Sequence, residues 1–107
     1  AVEQLAENMT TVLERPPLLI GEGAVQQLVW CTGGGQGYID RAADAGADVF
    51  ITGEISEQTV HVARERGVAF IAAGHHATER YGVQAVGERA ASALGCTHRF
   101  IDCPNPA

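Results

Sequence analysis

Two apolar runs, Asp48-Val49-Phe50-Ile51-Thr52 and Val68-Ala69-Phe70-Ile71-Ala72-Ala73, bracket residues 53–67 and decide the fold. Short runs rich in Val, Ile and Phe, apolar at almost every position, read as strands buried on both faces. Between them Ser56 caps a helix that carries Glu57 and Gln58 in its first turn. There a hydroxyl acceptor and negative charge meet backbone N–H groups that have no helical partner. This helix runs through Val60 and Ala63 and stops at Gly67.

The same alternation extends in both directions. Gln27-Leu28-Val29-Trp30-Cys31 reads as a strand, and Thr32-Gly33-Gly34-Gly35-Gln36 turns the chain after it. A helix follows from Tyr38 to Ala45, closed by Gly46 at a usual place for a left-handed cap. After the run at 68–73, a long helix extends from about His76 to Leu94 and ends at Gly95. Arg99-Phe100-Ile101-Asp102 reads as a last strand, with Pro104 and Pro106 closing the chain. At the other end, Val2, Leu5, Met9 and Leu13 recur at steps of three and four, which makes a helix with one apolar stripe. Pro16-Pro17 ends it; Leu18-Leu19-Ile20 is short and apolar, and Gly21-Glu22-Gly23 turns the chain. The expected fold is α/β: a mainly parallel sheet with helices on both faces, in one domain over residues 1–107.

Bulk composition narrows the function. With 7 basic and 13 acidic residues the net charge is −6, a surface that repels phosphate backbones, so nucleic acid is excluded as a partner. A small anionic substrate stays compatible, because a bound metal reverses the local field. Cys31, Cys96 and Cys103 are odd in number, scattered and without a CxxC pair, which points to reduced thiols and a cytoplasmic setting. Cys31 is expected to be a buried core residue. No apolar run approaches the ~18 residues of a membrane span, and no signal peptide is read at the start. The chain opens on Ala1, compatible with Met removal, processing or a fragment.

In parallel α/β sheets functional groups gather at the carboxyl ends of strands. Three segments fall there: residues 32–36, Thr52-Gly53-Glu54, and Gly74-His75-His76. His75 and Glu79 are four apart at a helix start, on one face, where an imidazole and a carboxylate can share a divalent metal. The same spacing is also common between plain surface neighbours. Glu54 is either a general base or outer group beside a metal, or a solvated charge ahead of a helix N-terminus. The glycine turn is either an anion-binding loop or a tight packing turn. His76 is read as a helix-capping or outer residue, Ser56 as a cap and not a nucleophile, and His61 as exposed or half-buried. His98 is given no role.

Taken together, Trp30-Cys31-Thr32-Gly33-Gly34-Gly35-Gln36, Ile51 to Thr59, Gly74-His75-His76-Ala77-Thr78-Glu79-Arg80, and Phe100-Ile101-Asp102 with Pro104-Asn105-Pro106-Ala107 resemble a known family. It is the GTP cyclohydrolase 1 type 2 homologue family, the dinuclear-metal-centre proteins, and the resemblance covers about residues 18–107. It implies an α/β fold, a cytoplasmic protein, and a homohexameric ring with pairs of divalent ions (zinc, manganese or iron) facing an internal cavity. It makes His75 and Glu79 metal ligands and puts the remaining ligands, neighbouring histidines and an aspartate, in an N-terminal half without a counterpart here. The implied activity is metal-dependent hydrolysis, such as ring opening of a nucleotide, with a small molecule as substrate. The alternative is a non-catalytic metal-binding or assembly module. On either reading this chain carries only part of the site, and two ligands alone hold no stable dinuclear centre.

Overall fold

The computed structural model describes all 107 residues. Its elements are α1 (Val2–Leu13), β1 (Leu18–Ile20), β2 (Leu28–Cys31), a 3-10 turn (Gln36–Tyr38), α2 (Ile39–Asp44), β3 (Val49–Thr52), α3 (Glu57–Arg66), β4 (Ala69–Ala72) and α4 (His75–Leu94). The four strands form one sheet in the order β1-β4-β3-β2. β2, β3 and β4 run parallel, with Val29 beside Phe50 and Phe50 beside Phe70. β1 pairs antiparallel with β4, so the sheet is mixed but mostly parallel.

Strand alternation divides the core into two layers. On one face Phe50, Phe70 and Val68 meet Ile39, Ala42 and Ala63 of α2 and α3. Phe50 and Phe70 pack edge-to-face, their ring centroids 5.7 Å apart. On the other face Val49, Ala69, Ile71 and Ala73 lie under the apolar stripe of α1, where Val2 is fully buried and Leu5, Met9 and Leu13 are partly so. Helices therefore cover both faces, as the strand pattern requires.

The local signals are visible in the coordinates. Ser56 Oγ accepts the Thr59 N–H at 3.3 Å, and the Ser56 N–H donates back to Thr59 Oγ1 at 3.2 Å, a reciprocal cap at the start of α3. The helix stops anticipated at Gly46, Gly67 and Gly95 all hold positive φ.

Two expectations are corrected. Residues 99–102 are not a strand. β1 already occupies the free side of β4, and the terminal segment instead lies against α4, where Asp102 meets His76 and Arg80. Cys31 is half-buried, because β2 is an edge strand; its neighbour Trp30 is 69% exposed for the same reason. The long helix runs His75–Leu94, as the sequence indicates, and only its first turns are anchored. Ala77 is its one buried residue, while Val83, Val86 and Leu94 face solvent.

Candidate metal centre

The loops that leave β2, β3 and β4 are joined in series by backbone hydrogen bonds. The Gly53 N–H donates to Gly33 O at 2.8 Å, and the Gly74 N–H donates to Gly53 O at 3.1 Å. The approach is so close that a Cβ on Gly53 would stand 2.9 Å from the His75 nitrogen. Threonines stitch the same loops. Thr52 Oγ1 accepts the Gly35 N–H at 3.0 Å and donates to Gly33 O at 3.2 Å. Thr78 Oγ1 accepts the Gly33 N–H at 3.0 Å, and Gly74 O lies 2.9 Å from the same hydroxyl. Within residues 32–36 the Gly33 and Gly35 N–H groups are bound by threonine hydroxyls, which holds the turn against β3 and α4.

This frame brings His75, Glu79 and Glu54 together. His75 Nδ1 lies 2.6 Å from Glu54 Oε1, and His75 Nε2 lies 3.1 Å from Glu79 Oε2. Gln36 Nε2 donates to the other oxygen of Glu54 at 3.4 Å. Gly33 closes the floor: a Cβ there would overlap the Glu79 carboxylate and come within 3.2 Å of His75 Nε2, and its φ of +70° is itself a glycine conformation. The side chains of His75, Glu54 and Glu79 are 40–53% exposed, so the cluster opens to solvent.

The charges respond to one another. The hydrogen bond that His75 donates to Glu54 is the main cause that holds the His75 pKa above its ordinary value, with the charges of Glu79 and Glu54 adding to it. Accepting that hydrogen bond from His75 in turn holds the Glu54 carboxyl below its ordinary range.

A divalent ion fits part of this arrangement. Two ligands at ~2.1 Å from a tetrahedral or octahedral ion stand roughly 3.0–3.4 Å apart, and the Nε2–Oε2 separation is 3.1 Å. Glu54 sits on the opposite ring nitrogen, where a carboxylate orients a ligating histidine instead of ligating with it. No group of three or more His, Cys, Asp or Glu side chains in the chain is arranged to hold an ion, so the fit is to two donors and no more.

The other histidines go elsewhere. His76 diverges from His75: its Nε2 lies 3.3 Å from Asp102 Oδ1, and its N–H donates to Ala107 O at 3.0 Å. His61 is exposed, 4.0 Å from Glu57, and His98 lies against Gly87 on α4. Sequence reasoning missed Gln36, Thr78 and Arg15, whose guanidinium lies over Gly74. The clue to Arg15 is only in the coordinates: Gly74 has a φ of +100°, and a Cβ there would stand 2.5 Å from Arg15 Nη1.

The family model described as Duf34/NIF3 (NGG1p interacting factor 3) matches residues 1–106. The chain belongs to the Duf34/NIF3 family. The match includes α1, which the motifs quoted from the sequence did not reach. The chain is 58% identical over 103 residues to a GTP cyclohydrolase 1 type 2 homolog of Pseudomonas aeruginosa, covering 95% of this chain and 41% of that protein. With the homolog of Yersinia pestis it shares 56% identity over 106 residues, 96% of this chain and 43% of the relative. Among solved structures, the protein ybgI, described as of unknown function, superposes with a TM-score of 0.91 at 52% identity. The protein TTHA1606 from Thermus thermophilus superposes with a TM-score of 0.88 at 30% identity. Each covers 97% of this chain and 43% of the solved chain. This Duf34/NIF3 chain thus spans about two-fifths of the length of its curated relatives.

Proposed function

We propose that this chain supplies one part of a dinuclear metal centre in a metal-dependent hydrolase-like protein, with His75 and Glu79 as ligands. One observation carries the reading: His75 Nε2 and Glu79 Oε2 stand one coordination edge apart over the bare face of Gly33, while Glu54 holds the far side of the imidazole. The names of the curated relatives suggest ring-opening hydrolysis of a nucleotide or a similar small molecule. A pair of zinc, manganese or iron ions, when bound, supplies an activated water and polarises the carbon it attacks. The chain's own part is to orient and to hold. Glu54 keeps the Nδ1 proton, which leaves the Nε2 lone pair free to ligate. Glu79 supplies an anionic oxygen from the next turn of α4, and Gln36 steadies Glu54. The remaining ligands belong to the portion of the relatives outside this chain, and the whole works as a cytoplasmic homohexameric ring.

A second reading, a non-catalytic metal-binding or assembly module, is favoured by α4. Beyond its first turns it presents Val83, Val86 and Leu94 to solvent, side chains suited to contact with another part of a larger assembly.

Metal content of a full-length relative, purified without chelator, tests the ligand assignment. About two ions per chain are expected, and fewer after the substitution equivalent to His75→Ala. Unchanged stoichiometry refutes the assignment. Loss of activity with an unchanged melting temperature favours the hydrolase; a lower melting temperature with no activity to lose favours the structural module.

A further inference from the structure

The turn that presents His75 has a second side. Beside Gly74 an open cavity of about 550 Å3 is lined by Glu14, Arg15, Arg80, His76 and Asp102, with Pro16 and Pro104 at its edge. This volume lies within the range of small-molecule sites. The cavity stands at the carboxyl end of β4, where parallel α/β sheets receive their ligands.

Its charges divide unevenly. Asp102 is shared by His76 at 3.3 Å and Arg80 at 3.8 Å. Arg80 also donates to Leu13 O and to the Tyr81 hydroxyl, and Glu14 on the rim is exposed. Arg15 differs. It is half-buried and enters none of the chain's ion pairs, and its guanidinium fills the space a Cβ on Gly74 would take. A planar fork of five donors held in place by packing, with its donors unused, is prearranged for a bidentate oxyanion.

We propose that this cavity binds the acid group, carboxylate or phosphate, of a small organic anion on the Arg15 guanidinium, with the rest of the molecule against the prolines. As a substrate subsite the proposal rests on the metal-centre reading, since Gly74 separates Arg15 from His75 and an anion held there would lie beside the ligating turn. As a binding site it stands without any metal.

The test is a titration of the metal-free 107-residue chain with inorganic phosphate and, separately, with acetate, at constant ionic strength set by chloride. NMR follows the backbone N–H resonance of Gly74, which lies against the Arg15 guanidinium and is present in every variant. A saturable shift of that resonance is expected, with binding about tenfold or more weaker in Arg15→Gln and unchanged in Arg89→Gln, which alters an exposed arginine on α4. Response to phosphate alone assigns a phosphate ester, and response to both assigns organic acids in general. No saturable shift, or equal binding by Arg15→Gln, overturns the proposal. If Arg15→Gln fails to fold, the wild-type resonance alone decides. Because no metal is present, failure here leaves the ligand assignment of His75 untouched, and a failed metal stoichiometry leaves this site standing.

Discussion

Gly33→Ala is the substitution that asks most of the site. Gly33 has a φ of +70°, and holding a residue with a Cβ in the left-handed region costs roughly 1–2 kcal/mol. With an unfolding entropy of about 2 cal/mol/K per residue, a chain of 107 residues melts about 4–9 °C lower for that loss. The new methyl also meets the Glu79 carboxylate, the far end of a flexible side chain that can swing away. The backbone penalty therefore appears in stability, and the side-chain displacement appears in the His75–Glu79 pairing. Gly34→Ala is the matched control. Its φ is not in the left-handed region, and its Cβ would make ordinary contact with Glu54 at 3.5 Å, so it should change the melting temperature little. Thermal unfolding followed by circular dichroism on both variants measures the difference. Indistinguishable melting of the two variants refutes the reasoning, since of the two only Gly33 has a left-handed φ and a methyl that would overlap Glu79.

Two further outcomes follow from the charges. Asp48 Oδ2 accepts the N–H groups of Gln26 at 2.8 Å and Gln27 at 2.7 Å, which holds its carboxyl below the ordinary value. A depressed folded-state pKa adds stability above the unfolded value that is lost as pH falls through the folded one; Asp48→Ala should thus be less stable at neutral pH, with the gap to wild type closing in acid, and a gap constant with pH refutes the assignment. In the metal-free chain Glu54→Gln removes the main cause of the raised His75 pKa, so the His75 ring proton signal should titrate at lower pH than in wild type; an unmoved midpoint refutes the pairing.

How far the sequence could be read depended on the range of the forces involved. Local chemistry was legible: the Ser56 cap, the glycine helix stops, the period-four stripe of α1 and the His75–Glu79 spacing each involve groups a turn apart. Pairings between distant segments were not. The apolar content of Leu18–Ile20 does not say that β1 runs antiparallel to β4, nor that it takes the edge that residues 99–102 would otherwise join. Cys31 looks like a core residue by composition, and only strand order leaves it at an edge. Glu54 was legible as a strand-end carboxylate, but its meeting with Nδ1, on the side of the ring away from Glu79, is a fact of three dimensions. Gln36, Thr78 and Arg15 are ordinary polar residues in sequence and become specific only through what faces them.

The ladder from Gly33 through Gly53 to Gly74 has a kinetic consequence. Its outer rung belongs to β2, an edge strand held from one side only. When that edge frays, Gly33 leaves its bond with Gly53, and Thr78 loses the N–H it accepts, so the first turn of α4 loosens at the same moment. Anything that captures the turn carrying His75 and Glu79 should therefore slow amide exchange at Gly33, which lies far from both of them along the chain. Occupancy of the site can in this way be read from a backbone amide whose own hydrogen bond goes to Thr78.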